Sequence, residues 1–155
     1  MNGRTDRASR RIEAEPTRIY RALTDPQAIV SWRPPKGMRG EMLAFDAREG
    51  GAYRMALIYE DQSIQGKSSG NVDVVEGRFQ DLVPGERMVE VVTFESDDPA
   101  FAGEMTITTT LTPIPSGTEV SIACENVPSG ISAADHEAGL TSTLQNLATY
   151  TERQE

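Results

Sequence analysis

Cysteine and histidine are almost absent from the sequence: Cys124 and His136 are its only examples. One cysteine excludes a disulfide framework within the chain, and one histidine excludes the usual zinc ligand sets. We therefore expect no metal site and no cofactor. A chain without disulfides is also typical of a reducing compartment, so we expect a cytoplasmic location.

Long hydrophobic runs and basic charge are also scarce. The longest apolar run covers residues 55–59, far short of the roughly 20 residues that cross a bilayer. Residues 1–20 have no apolar signal core, so we expect neither a membrane span nor secretion. The 15 basic residues face 24 acidic ones, which gives a net charge of -9. Because this sign is wrong for holding a phosphate backbone, we expect no nucleic-acid partner.

The rest of the composition is that of an ordinary globular protein. Hydrophobic residues make up 37% and charged residues 25% of the 155 residues, which suits one domain with one core. No segment repeats at a period of about 20–50 residues. We expect a single domain that spans residues 1–155.

The first third of the sequence predicts one strand and two short helices. Polar and apolar residues alternate over 10–14, which is typical of a strand that ends before Pro16. Pro16 suits the first turn of a helix, and Pro26 suits the first turn of a second one after an N-cap at residues 24–25. The second helix must end near Arg33, because two prolines follow it.

From about residue 39 the pattern predicts a sheet and then a long helix. Turn residues divide a period-two pattern into six further strands, with one apolar and one polar face. Leu140, Leu144 and Leu147 then follow at helical spacing, which predicts a helix from about residue 133 to 153. The fold class is therefore α+β, with a curved antiparallel sheet of about seven strands around a long C-terminal helix. An interior would lie between the helix and the sheet.

Several segments in this order resemble a known family. The chain is similar, from about residue 8 to 151, to the START-like (SRPBCC) helix-grip superfamily, and in particular to the branch named for the C-terminal domain of the activator of the Hsp90 ATPase. The segments that carry the resemblance are residues 12–16, 19–26, 32–35, 45–53, 77–79 and 84–89. The resemblance implies a helix-grip fold and the binding of apolar small molecules between helix and sheet.

The last helix departs from the family pattern at one position. His136 and Gly139 match the family's histidine and glycine, but Leu140 stands where the family usually has tryptophan. The missing volume could enlarge a cavity, or a bulkier neighbour could fill it.

Fourteen side chains are predicted to face such a cavity and to bind its ligand. The several methionines among them suit an adaptable pocket, because the thioether is flexible and polarizable. The alternative is that these side chains fill a solid core. The predicted residues are Trp32, Met38, Tyr53, Met55, Leu57, Met88, Glu90, Val92, Phe94, Met105, Ile107, His136, Leu140 and Leu144.

Glu90 and His136 are the two members of this set with acid–base chemistry. If Met88 and Val92 face inward, Glu90 does too, and its carboxylate could transfer protons or anchor a ligand. If the register shifts by one residue, Glu90 lies in water. His136 could pair with Glu90 or with a ligand group, or it could be a neutral packing residue that is hydrogen-bonded to backbone.

Three functions remain open at this point. The leading hypothesis is the binding of a hydrophobic or amphipathic small molecule. The second is an enzyme of the cyclase or hydratase kind, in which Glu90, His136 and Tyr53 transfer protons. The third, which follows from the resemblance alone, is a chaperone-interaction module. No nucleophile is supported, since Cys124 is expected to be buried and inert. Exposed strand edges are compatible with a homodimer.

Overall fold

The computed structural model describes residues 3–152. Over this range it contains three helices, seven strands and a short 3₁₀ turn at Pro99–Phe101. In chain order the elements are β1 (Arg4–Ile12), α1 (Pro16–Leu23), α2 (Pro26–Trp32), β2 (Met38–Phe45), β3 (Ala52–Tyr59), β4 (Val72–Val83), β5 (Arg87–Phe94), β6 (Met105–Ile114), β7 (Gly117–Val127) and α3 (Ala133–Glu152).

The seven strands form one antiparallel sheet in the order β1-β7-β6-β5-β4-β3-β2. The predicted α+β class, the two short helices after the first strand and the six later strands are confirmed. Register shifts in β2 between Met42 and Ala44 and in β4 between Phe79 and Asp81 mark bulges. Because a bulge bends its strand and increases the local twist, these shifts curve the sheet toward the helices.

The ends of two elements differ from the sequence prediction. β1 begins at Arg4, well before residue 10, and Ala14 lies beyond its end at Ile12. β1 pairs with β7 along its whole length, from Arg4 opposite Val127 to Ile12 opposite Thr118. The first half of β1 is polar and shows no alternation in the sequence. It is a strand because it pairs with β7 at this end of the sheet. The predicted end of α3 at Arg153 lies outside the described residues.

The short helices begin where their prolines and caps predict. Pro16 and Pro26 occupy the first turns of α1 and α2, and the Asp25 side chain accepts a hydrogen bond of 2.9 Å from the backbone N–H of Gln27. This bond satisfies one of the amides that a helix start leaves free. The indole N–H of Trp32 donates to the carbonyl of Ala22, at 2.8 Å, and so holds the two helices together.

Helix α3 lies across the concave face of the sheet, with Leu144 and Leu147 buried in the core. The Thr143 hydroxyl donates to the Arg33 carbonyl at 2.9 Å, and the Asn146 amide donates to the Pro34 carbonyl at 2.9 Å. These bonds fix the segment after α2 against the middle of α3. No helix within residues 3–152 is both long enough and apolar enough to cross a membrane.

Candidate functional site

A cavity of about 290 Å³ lies between α3 and the sheet, and we call it the inner cavity. Strands β2 to β7 form its floor, while α2, the segment after α2 and the first half of α3 form its roof. Eleven of the fourteen predicted residues line it: Trp32, Met38, Tyr53, Met55, Leu57, Val92, Phe94, Met105, Ile107, His136 and Leu140.

The other three predicted residues, Met88, Glu90 and Leu144, are buried in the core but are not part of this lining. The fourteen predicted side chains therefore leave an unfilled space between the helix and the sheet. The cavity also lies beside Leu140, the position at which the resemblance has tryptophan. That any of these residues contacts a ligand remains a prediction.

Glu90 faces the interior and has no exposed surface. It lies between Phe79 of β4 and Ile107 of β6 in the sheet register. The Tyr53 hydroxyl donates to its Oε1 at 2.6 Å, and the Arg33 guanidinium donates to Oε1 at 2.8 Å and to Oε2 at 3.2 Å. We call Arg33, Tyr53 and Glu90 the buried triad; Tyr53 and Glu90 are buried, and the Arg33 side chain is 18% exposed. The interpretation in which Glu90 faces the interior is therefore correct. Its carboxylate is already paired with the guanidinium of Arg33.

The environment of the buried triad raises the pKa of both Arg33 and Tyr53. Burial alone would lower the pKa of the Arg33 guanidinium, but the adjacent Glu90 carboxylate raises it above its ordinary value. Burial, together with the charge of Glu90, raises the pKa of Tyr53. Arg33 is therefore charged and Tyr53 is neutral near pH 7. Neither is tuned for proton transfer at neutral pH, for which the best pKa lies near the working pH.

His136 pairs with Asp6 and not with Glu90. Its Nδ1 lies 2.7 Å from Oδ2 of Asp6 in β1. Arg4 donates to the same carboxylate from Nε at 2.9 Å and from Nη2 at 3.0 Å, and this hydrogen bonding, helped by His136, lowers the pKa of Asp6 although burial opposes it. His136 therefore ties the start of α3 to the edge strand. Glu90 and His136 are therefore held by different partners, whereas Glu90 and Tyr53 are in contact.

Lys67 stands where the inner cavity meets a second, more polar pocket of about 590 Å³. Its ammonium lies 2.9 Å from Oδ2 of Asp73, and its backbone N–H donates to Oδ1 of Asp73 at 2.6 Å. The same ammonium is 5.1 Å from the ring centre of Phe94 and 5.4 Å from that of Phe101. Lys67 is therefore a paired cation at the boundary of the two pockets.

Sequence reasoning missed several polar residues of the inner cavity, notably Arg33, Lys67 and Asp73. Asp73 shares its strand face with Val75 and Phe79, so the period-two pattern of β4 could have placed it inward. Arg33 follows the end of α2, where no periodicity applies. The one available signal for Arg33 is that a carboxylate buried at Glu90 requires a cation nearby.

Cys124 also lines the inner cavity, as a buried free thiol. Burial, with smaller contributions from the charges of Glu90 and Asp6, raises the pKa of its thiol to about 12. The expectation of a buried thiol is confirmed. Within residues 3–152 no group of three or more histidine, cysteine, aspartate or glutamate side chains could hold a metal ion.

The antiparallel sheet, the long helix across it and the cavity between them define a START-like helix-grip domain. The family model described as Activator of Hsp90 ATPase homolog 1-like protein matches residues 13–152. The chain belongs to this family.

Solved structures with the same fold include proteins from several bacteria. A protein of Chromobacterium violaceum is 37% identical, with a TM-score of 0.86, over 97% of this chain and 98% of its own. A protein of Rhodobacter sphaeroides is 20% identical, with a TM-score of 0.78, over 100% and 99% of the two chains. An AHSA1-like protein of Aeromonas hydrophila is 18% identical, with a TM-score of 0.72, over 96% and 92%. The last two show the fold alone. A search of curated proteins gave no match.

Proposed function

We propose that the protein binds a hydrophobic or amphipathic small molecule in the inner cavity. The observation that supports this is a space of about 290 Å³, lined mainly by apolar side chains. Protein interiors are otherwise packed like organic crystals, with few voids larger than a water molecule. Since a water molecule takes about 30 Å³ of liquid, the cavity suits a ligand of about ten non-hydrogen atoms. A cytoplasmic setting is part of the proposal, because the chain's one cysteine is a buried free thiol.

The first test is a native mass spectrum of the protein purified gently from its own host. We expect an additional mass that is lost on denaturation. The second test is a titration with butylbenzene, a probe of about ten non-hydrogen atoms. Trp32 is the one tryptophan of the chain and lines the cavity, so its fluorescence reports occupancy directly.

Leu140→Trp supplies the control, with calorimetry as the readout because this variant contains a second tryptophan. The larger side chain would occupy the inner cavity, into which Leu140 already faces. We expect this variant to keep its fold and to bind butylbenzene at least about tenfold more weakly by calorimetry, because the apolar contacts of the probe are lost. A bare native mass, together with no response of Trp32 to the probe, would contradict the proposal.

The family match gives a second candidate, since the family is named for an activator of the Hsp90 ATPase. An interaction with a chaperone can be tested by adding the purified protein to the Hsp90 of its own host. Stimulated ATP hydrolysis would support this candidate. No change in hydrolysis and no co-purification would leave small-molecule binding as the sole proposal.

A further inference from the structure

Arg33 has hydrogen-bonding capacity that residues 3–152 do not use. A guanidinium carries five N–H donors. Those of Arg33 reach the two carboxylate oxygens of Glu90 and the hydroxyl of Tyr53, the last at 3.1 Å. Three bonds use at most three hydrogens, so at least two donors have no acceptor among residues 3–152. Arg33 also lines the inner cavity.

The guanidinium is held rigidly enough to select a ligand group. Its carbon lies 5.1 Å from the ring centre of Trp32 and 5.9 Å from that of Tyr53. Glu90 holds it from behind through both carboxylate oxygens. The backbone of Arg33 is fixed independently by the hydroxyl of Thr143 in α3. A donor fixed in this way loses little side-chain freedom when a ligand binds.

The charges around the inner cavity argue against an anionic ligand. The two basic side chains in its lining, apart from His136, are each paired with a carboxylate: Arg33 with Glu90 at 2.8 Å and Lys67 with Asp73 at 2.9 Å. His136 faces the carboxylate of Asp6. An anionic ligand would therefore lose its hydration without gaining an unpaired cation, and burial of an uncompensated charge is costly.

We propose, on the basis of the proposed small-molecule function, that Arg33 binds an uncharged oxygen acceptor at the polar end of the ligand. The ligand class is then a small amphiphile with a ketone, ester or hydroxyl group, rather than a fatty acid. Its oxygen accepts from the free donors of Arg33, and its apolar part extends toward Met55, Met105 and Leu140.

Calorimetry with three probes of about ten non-hydrogen atoms tests this assignment. The probes are 2-nonanone, octanoate and butylbenzene, which carry an uncharged acceptor, an anion and no acceptor. We expect the wild type to bind 2-nonanone at least about tenfold more tightly than octanoate. Tighter binding of octanoate would overturn the proposal.

The double variant Arg33→Met/Glu90→Met removes the donors without leaving a buried charge. We expect the affinity for 2-nonanone, relative to that for butylbenzene, to fall about tenfold, as the loss of a hydrogen bond to a charged donor predicts. The matched control is Arg54→Met/Glu95→Met, which removes a half-buried ion pair outside the cavity lining. It should leave the ratio unchanged.

The wild type also gives an independent answer that needs no variant. The infrared carbonyl stretch of bound, ¹³C-labelled 2-nonanone should lie below its position in an alkane solvent, because a hydrogen bond weakens the C=O bond. If butylbenzene binds but bound 2-nonanone shows an alkane-like stretch, the assignment to Arg33 is wrong. The assignment is also wrong if Arg33→Met/Glu90→Met does not change the affinity for 2-nonanone relative to that for butylbenzene. If butylbenzene also fails to bind, the proposed function itself is wrong.

Discussion

Glu90 is a carboxylate with no exposed surface in the middle of β5. Burial of a charge is tolerated only where another charge and hydrogen bonds compensate it. Arg33 and Tyr53 supply that compensation from two other elements, α2 with its C-terminal extension and β3. The three side chains therefore depend on each other for stability.

Removal of one charge of this pair should cost more than removal of both. We expect Glu90→Met to lower the free energy of unfolding by about 3–5 kcal/mol, because it leaves Arg33 without its counter-charge. Arg33→Met/Glu90→Met should recover most of that loss. Urea unfolding of the two variants measures the difference. A single variant within about 0.5 kcal/mol of the wild type would show that the pair is not coupled.

Cys124 should resist alkylation in the folded protein. Its thiol is buried, and burial raises its pKa to about 12, so the reactive thiolate is scarce near neutral pH. We expect iodoacetamide to label it only slowly until urea unfolds the chain. Mass spectrometry over time measures the rate, and rapid labelling of the native protein would contradict the burial described above.

The sequence alone could not decide the orientation of Glu90, for a physical reason. Val91 and Val92 are both buried, so neither face of β5 is reliably polar at this point. The alternation of polar and apolar residues therefore does not show which face of β5 is buried. Arg33 was missed because it acts through a distant strand, from a position outside any helix or strand.

At the scale of elements, Gly77 of β4 leaves the space in which the ring of Tyr53 lies. It lies opposite Tyr53 in the β3–β4 pair, and a Cβ at Gly77 would clash with the Tyr53 ring. The ring therefore lies over the glycine, which lets its hydroxyl reach Glu90. A family signature segment at residues 77–79 thus has a packing explanation.

We expect Gly77→Ala to destabilise the protein by about 1–3 kcal/mol, since the Tyr53 ring must move. Gly139→Ala is the matched control, because a Cβ at Gly139 would meet nothing within 4 Å. Gly139 lies inside helix α3, so its replacement should stabilise the protein by about 0.5–1 kcal/mol. Urea unfolding distinguishes the two signs, and equal effects would contradict the close approach at Gly77.

The junction of β1 with α3 should make stability depend on pH in the acid range. The pKa of Asp6 is lowered, chiefly by hydrogen bonds from Arg4. A lowered pKa stabilises the fold above the ordinary value near 3.8, and this contribution is lost as the pH falls through the folded value. The difference in unfolding free energy between wild type and Asp6→Asn should therefore be largest above about pH 5 and shrink below about pH 3. A constant difference would contradict this account.

The elements were more predictable than the site, because proline, capping residues and periodicity act locally. Pro16, Pro26 and the leucines of α3 placed the helices. The start of β1 could not be predicted, because its residues are polar and it forms through pairing with β7.

At the scale of the whole molecule, the inner cavity couples ligand binding to stability. A ligand that binds only the folded state at about 100 times its Kd adds about 2.7 kcal/mol. In a domain of this size that corresponds to a rise of about 5–10 °C in Tm. We expect this shift for the wild type with 2-nonanone, and at most about half of it for Leu140→Trp at the same ligand concentration, since its site is at least about tenfold weaker. Differential scanning fluorimetry measures both, and equal shifts would show that the probe binds elsewhere.

The pairing of β1 with β7 also has a consequence for how the chain folds. Strands β2 to β7 follow each other in the sheet in their sequence order, so each can pair with the strand synthesised just before it. β1 must wait for β7, because Arg4 lies opposite Val127. Contacts between such distant residues are slow to form, since the intervening loop must close first. We therefore expect the first strand to join the sheet late, after most of the chain has left the ribosome.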